Sequence, residues 1–366
     1  MRKICFISLP VYGYFNERLF PITGGGGAKR QIYLLATELN EVFDVSVIVG
    51  DYGQPIHEIR DGVTLYRSYN PTSASALKAG YSLYLAMKRA GADVYIYRGN
   101  PRKAAFVGLF SRALGKPWVY HVANDADIGH HFDTCSPLVR WLFHRQLRHA
   151  HSVVVQTRSQ RRMLAARFGV DGVIVPNGYP PIEDAVDDHG EYFLWVGRLN
   201  EQQKRPHLVF ECAERMPHER FVLIGLYEDD AYARSIISRS RSTPNVHFVG
   251  SVEPDEIHHY YERAIAVVNT SAYEGFPNTF LEAWRCETPV VSLSVDPGRF
   301  LHDGAFSGFA DDDRDRMIEL LERLSEDPTY RRSSGRELRE YVEAHYDLES
   351  VSHRYVRLLT NAHAIS

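Results

Sequence analysis

Two carboxylates stand eight positions apart in the run Glu274-Gly-Phe-Pro-Asn-Thr-Phe-Leu-Glu282. Gly275 and Pro277 interrupt regular structure. From Asn278 onward Phe280, Leu281 and Trp284 recur at helical spacing. The segment therefore reads as a turn entering a helix, with Glu274 on the loop and Glu282 about one turn inside. Backbone N–H groups from Phe276 to Thr279 fall at the positive end of the helix dipole, a place suited to phosphate or sugar oxygens. An ordinary loop–helix junction has the same local pattern, so the meaning of the two glutamates depends on what else the chain carries.

A second cluster is cationic. Trp195-Val-Gly-Arg-Leu199 ends a strand pattern, and Lys204 follows Arg198 by six residues. On one strand–helix loop, Arg198 is a bidentate donor and Lys204 a point charge, a pair that suits a diphosphate. Two solvated basic residues are the alternative. A third cluster is Gly24-Gly-Gly-Gly27 followed by Ala28-Lys29-Arg30 and a helical pattern. Gly25, Gly26 and Gly27 permit positive φ and close backbone approach, but the run is neither a Walker A loop nor GxGxxG.

These residues need elements to position them. The chain has 366 residues, 44% hydrophobic and 24% charged, which favours a soluble protein of two domains. Strand candidates from Ile4–Leu9 to Val173–Val175 alternate with helical ones such as Ala28–Leu39 and Pro137–His149. After Pro176-Asn-Gly178 and a polar connector, Pro180 to Gly190, the rhythm restarts at Tyr192–Val196 and runs to Pro289–Ser292. Two βα series predict two doubly wound parallel sheets with helices on both faces, facing each other across an interdomain cleft. Ligands in such sheets bind beyond the carboxyl ends of the strands. The expected domains are 1–180, 181–345 and a closing helical segment, 346–366.

No apolar run approaches the ~20 residues needed to span a bilayer, and Met1–Pro10 reads as a buried strand rather than a signal peptide. Cys5, Cys135, Cys212 and Cys286 lie far apart, with no CxxC pair and no zinc spacing; a reduced, cytoplasmic protein is expected. Residues 1–180 hold 22 Lys and Arg against 12 Asp and Glu, whereas the remainder holds 20 against 34. A basic half joined to an acidic one points either to an anionic partner of the first half or to interspersed surface charge.

In combination, Gly24–Gly27, Pro176-Asn-Gly178, Arg198 with Lys204, and Glu274-x7-Glu282 occur in an order and at distances that resemble the retaining, nucleotide-sugar-dependent glycosyltransferases of family 4, which have the GT-B fold. The resemblance covers nearly the whole chain, including His345–Ser350 and the following Tyr355–Leu359, which resemble that family's last helix crossing back to the first domain. It implies that Arg198 and Lys204 hold the donor diphosphate, that Glu282 contacts the ribose and that Glu274 contacts the transferred sugar. Gly275 to Thr279 would face the donor, Ser251 and Val252 the base, and Gly25 to Gly27 the β-phosphate, with Lys29 beside the acceptor. Catalysis would rest on positioning and electrostatics, without a metal. Replacing Lys204 or Glu274 with alanine is then expected to abolish transfer with little loss of folding.

One stretch departs from the family pattern. Where relatives carry a cleft histidine the chain has Ala123, in His121-Val-Ala-Asn-Asp-Ala-Asp127. His121, Asn124, Asp125 or Asp127 is expected to supply the missing contact to sugar or acceptor; equally, the two aspartates read as turn residues. The helix Pro137–His149 mixes Leu138, Trp141, Leu142 and Leu147 with Arg140, Arg145 and Arg148, so the first domain either rests on an anionic membrane or simply packs this helix on its sheet. The expected function is transfer of a hexosyl unit from a UDP- or GDP-sugar to a glycan or lipid-linked acceptor in surface polysaccharide or glycolipid synthesis. A sugar-nucleotide epimerase and a non-catalytic binding protein are the alternatives. Nucleic acid is not an expected partner, for want of a basic-aromatic recognition motif.

Overall fold

A computed structural model of the chain describes residues 1–16, 26–182, 190–227, 230–253, 256–297, 300–303 and 306–360. The chain divides into two compact units, Met1–Gly178 together with Leu348–Ser366, and Tyr179–Asp347.

Unit 1 is built on eight strands: β1 (Lys3–Ile7), β2 (Asp44–Val49), β3 (His57–Arg60), β4 (Val63–Arg67), β5 (Val94–Arg98), β6 (Trp118–His121), β7 (Ser152–Val155) and β8 (Val173–Ile174), in the order β3-β4-β2-β1-β5-β6-β7-β8. The inner strands are apolar on both faces because helices cover both. All pairings are parallel except β3 with β4. That antiparallel edge is an addition to the expected parallel sheet, on a strand not among the candidates read from the sequence. The hairpin turns at Asp61-Gly62, both with positive φ, and Asp-Gly is the dipeptide such tight turns favour.

Helices α1 (Gly27–Leu39), α2 (Ala76–Ala90), α3 (Pro101–Ala113), α4 (Pro137–Arg148) and α5 (Arg158–Phe168) connect these strands. The crossovers through α2 to α5 all step the same way along the sheet, so right-handedness puts the four on one face and α1 on the other. One core cluster agrees: Met87, Ala104, Phe143 and Leu164 from the four helices meet Tyr95, Tyr120 and Val155 of the strands. The closing helix of unit 1, Leu348–Thr360, packs on α1. Gly178 is fixed beside it: a Cβ there would lie 3.0 Å from that of Val351. Gln31 brackets Gly178, donating to its carbonyl at 2.9 Å and accepting from its N–H at 3.0 Å. Arg98 donates to Asn177 at 2.6 Å. Pro176-Asn-Gly178 is thus a fastening of the end of unit 1.

Unit 2 holds β9 (Tyr192–Val196), β10 (Phe221–Ile224), β11 (Val246–Gly250), β12 (Ala264–Asn269) and β13 (Val290–Ser292), all parallel, in the order β11-β10-β9-β12-β13. Its main helices are α6 (His207–Arg215), α7 (Ala231–Ser242), α8 (Ile257–Glu262), α9 (Asn278–Arg285), α10 (Arg314–Glu326) and α11 (Pro328–His345); the Leu348–Thr360 helix of unit 1 is α12. From β9 the chain winds outward to β10 and β11, then returns to the other side of β9 as β12. The direction reverses between β9 and β12, the switch point at which ligands of such sheets bind beyond the strand ends.

Candidate functional site

The loop after β9 and the loop after β12 meet at this switch point of unit 2. Trp195 donates from its indole N–H to Thr270 Oγ1 at 2.9 Å, and the Thr270 hydroxyl donates to the Lys204 carbonyl at 2.6 Å. Ala272 N–H donates to the Gln203 carbonyl at 2.7 Å, and Arg205 Nε to the Thr270 carbonyl at 2.7 Å. Asn200 shapes the first loop by accepting Gln203 N–H on its side chain at 2.8 Å, and Arg205 takes a φ of 49°. Gly225, just past β10, sits so close that a Cβ there would be 1.7 Å from the Gly197 carbonyl oxygen. The backbone at the strand ends is therefore packed without slack.

This framework sets Lys204 Nζ 2.5 Å from Glu274 Oε1. Gln203 reaches the second oxygen of Glu274 at 3.4 Å. The two charged side chains are 19% and 10% exposed. Truncating either one would leave the other charge in a poorly solvated place, which argues for some cost to folding as well as to transfer. Arg198, on the same loop, is exposed and has no side-chain hydrogen bond or ion pair among the described residues.

Helix α9 begins at Asn278. Pro277 is its N-cap residue, and no side chain caps the helix; Phe280 N–H turns back to the Pro277 carbonyl at 3.1 Å. Gly275, Phe276, Pro277 and Asn278 are buried, Phe276 against Trp284 and Tyr346. The Thr279 hydroxyl is buried with no hydrogen-bond partner among the described residues. Glu282 accepts from Tyr179 at 2.5 Å on one oxygen and from Tyr261 at 2.9 Å on the other. Burial raises the Tyr261 phenol well above its ordinary range, and the adjacent Glu282 adds to this. Tyr261 is thus a fixed donor. Arg285 lies 5.1 Å over the Tyr179 ring. Neither tyrosine was singled out in the sequence, although Tyr179 directly follows Pro176-Asn-Gly178. Ser251 is exposed and Val252 half-buried beyond β11, where Gly250 takes a φ of 91° and its carbonyl accepts Gly225 N–H at 2.8 Å.

The remaining predicted residues lie on unit 1. Gly24 and Gly25 are outside the described residues. Gly26, with a φ of 102°, is the N-cap position of α1, followed by Gly27 and a half-buried Lys29. His121 is 1% exposed, and its Nδ1 meets the Tyr355 hydroxyl at 2.5 Å. Burial holds its pKa well below the ordinary histidine range, with the nearby Arg98 charge adding to this, so it is a neutral core residue tying β6 to α12. Asn124 and Asp127 are spent locally. Asn124 Oδ1 accepts Ala126 N–H at 2.9 Å, while Asp127 Oδ2 accepts the N–H of Ala123 and of Asn124 at 3.0 Å each. Together they form a capping box. Asp125 accepts from Gln160 at 2.9 Å. These bonds give Asp125-Ala-Asp127 a local structural role, at the start of a short helix, Asp125–Ile128.

Among the described residues one group of side chains could hold a metal ion. His258, His259 and Glu262 on α8 have donor atoms within 4.8 Å of one another. The sequence reading passed over it because the pattern, His-His-x-x-Glu, shows only as a helix.

Comparison with known proteins follows the two units. Residues 26–178 match the family model described as glycosyl transferase 4-like domain, and residues 190–327 the one described as glycosyl transferases group 1. Among curated relatives, D-inositol 3-phosphate glycosyltransferase from Frankia alni is 32% identical over 162 residues, 40% of this chain and 39% of that one. Glycosyltransferase 1 domain-containing protein 1 from Xenopus tropicalis is 21% identical over 148 residues, 40% of this chain and 43% of the relative. Those matches span about two fifths of the relatives' length. Among solved structures, sucrose-phosphate synthase from Thermosynechococcus elongatus superposes with a TM-score of 0.82 at 18% identity, over 100% of both chains. HepE from Anabaena, in complex with UDP and glucose, gives 0.79 at 14% identity, over 99% of this chain and 100% of that one. With both units matched in sequence and the architecture matched in three dimensions, the chain belongs to the glycosyl transferases group 1 family and has its GT-B fold.

Proposed function

We propose that the chain is a retaining, metal-independent glycosyltransferase that moves a hexosyl unit from a UDP- or GDP-sugar to a glycan or lipid-linked acceptor. The observation that carries the reading is the Lys204–Glu274 pair, at 2.5 Å, where the loops after β9 and β12 meet at the switch point. The uncapped N-terminus of α9 begins four residues beyond Glu274. Lys204 and the exposed Arg198 are donors for a diphosphate leaving group, and the positive end of the α9 dipole favours one there. Stabilising the charge that gathers on it lowers the barrier to breaking the glycosidic bond. Glu274 turns a carboxylate toward the same place and stabilises positive charge developing on the sugar. Glu282 has about four lone-pair sites, of which the two tyrosines use two, so ribose hydroxyls can still donate to it. A surface polysaccharide or glycolipid product and a cytoplasmic location complete the proposal.

Calorimetric titration of UDP, GDP and ADP into the wild type and a Lys204→Ala variant tests the reading. One diphosphate should bind selectively, the variant should lose it, and chelation with EDTA should change neither result. Equal indifference to all three nucleotides would overturn the donor-site assignment. Turnover of the sugar nucleotide with no acceptor present would point instead to an epimerase.

A further inference from the structure

The outer face of the helical layer formed by α2, α3, α4 and α5 has a composition that packing on the sheet does not require. The helices carry three, three, three and four lysines and arginines respectively, and not one aspartate or glutamate. All thirteen basic side chains are exposed. Two are neutralised from outside these helices, Arg161 by Asp171 and Arg167 by Asp133; among the described residues none of the other eleven is in an ion pair. Solvated helices ordinarily mix signs along their length, because opposite charges one turn apart stabilise them. Two short helices between α3 and α4, Asp125–Ile128 and His130–Asp133, carry three aspartates, but the four long helices of one sign on one face of one sheet still make a concentrated positive field.

Apolar side chains are exposed on the same helices. α2 presents Leu77 and Tyr81 at 89% and 66% exposure, α3 Phe106 and Leu109 at 42% and 38%, and α4 Leu138 and Trp141 at 71% and 57%. Each pair is three or four residues apart, so its members share a side of their helix. Arg145 lies 5.5 Å over the Trp141 ring, which places a cation beside an aromatic of the kind that favours the membrane–water interface.

We propose that this face docks unit 1 on an anionic lipid bilayer. The cations meet the headgroups, and the exposed apolar pairs enter the boundary beneath them. The apolar pairs decide for a bilayer over nucleic acid, since a phosphate backbone rewards the cations and gives the exposed leucines nothing to enter. A second copy of the face is excluded by like-charge repulsion. No helix among the described residues is long and apolar enough to cross a membrane, so the contact is peripheral. The inference rests on unit 1 alone and does not depend on the transferase proposal.

The test is flotation of the full chain with vesicles of phosphatidylcholine, with and without phosphatidylglycerol, at low and high salt. Binding should require the anionic lipid and weaken with salt. Each cation near the surface is worth about fivefold in partition, so a variant combining Arg140→Ala, Arg145→Ala and Arg148→Ala should bind roughly a hundredfold more weakly. Its melting temperature and nucleotide titration should match the wild type. A second variant, Leu138→Ala with Trp141→Ala, should bind only in low salt, having lost the part that salt does not screen. Binding indifferent to phosphatidylglycerol overturns the proposal. Binding to duplex DNA through the same arginines, with vesicles ignored, overturns it in favour of a polyanion site.

Discussion

Replacing Glu274 with glutamine separates two jobs that the Lys204 ammonium could have. With Glu274 ionised 2.5 Å away, Lys204 contributes little net positive charge to an arriving diphosphate, and the carboxylate itself repels one. Glutamine keeps the shape and can still accept a hydrogen bond from Lys204, but removes the negative charge. Were a diphosphate to sit about 8 Å from this carboxylate, the two like charges would repel by about 2 kcal/mol at an effective dielectric near 20. Salt and the partial exposure of the pair reduce this to about 1 kcal/mol, or about fivefold in affinity. Glu274→Gln should therefore bind its preferred nucleoside diphosphate about fivefold more tightly in calorimetry, while transfer from the intact sugar nucleotide falls sharply. Lys204→Met should bind more weakly and melt lower. The buried-pair penalty of several kcal/mol, discounted for 19% and 10% exposure, leaves about 1–3 kcal/mol. An unchanged or weakened affinity in Glu274→Gln would refute the reasoning, because the diphosphate would then not feel the carboxylate.

Two further expectations concern the framework. Gly225→Ala puts a Cβ 1.7 Å from the Gly197 carbonyl oxygen and should cost more than ~3 kcal/mol or prevent folding, whereas Gly53→Ala, at a φ of 91° with nothing within 4 Å, should cost only ~1 kcal/mol; chemical denaturation of both variants checks the contrast. Buried His121 stays neutral in the folded protein and titrates near 6.5 when unfolded, so the unfolded state takes up the extra proton. Stability should thus be complete above that pH and decline below it by up to about 1.4 kcal/mol per pH unit. His121→Asn should flatten that part of the melting-temperature profile, and an unchanged slope would assign the dependence to other groups.

Much of unit 2 was legible because its strands are short apolar runs and its turns carry glycine and proline. Tyr192–Val196, Phe221–Ile224 and His207–Arg215 fall where periodicity puts them, and α9 starts at Asn278, directly after Pro277. The β3 edge was missed because His57-Glu-Ile-Arg60 has one apolar residue and no buried face; only the Asp61-Gly62 turn marked it. The ion pair was illegible for a different reason. Lys204 and Glu274 are 70 positions apart in the chain, and they meet because the strand order reverses between β9 and β12, a property of topology rather than of local pattern. The Tyr179 and Tyr261 hydroxyls on Glu282 escaped in the same way. His121 went the other way: a histidine near a strand end invites a chemical role, and burial against Tyr355 gives it a packing one.

The placement of α12 has a consequence for how the protein is made. Its residues, Leu348–Thr360, belong with Met1–Gly178, while everything between belongs to the other unit. A ribosome therefore finishes the whole of unit 2 before it delivers the last piece of the unit it started with. Until then the seats of Tyr355 beside His121 and of Val351 against Gly178 are open. Of the two units, the one begun earlier is completed later, and the nascent chain carries an unsealed apolar surface while unit 2 is made.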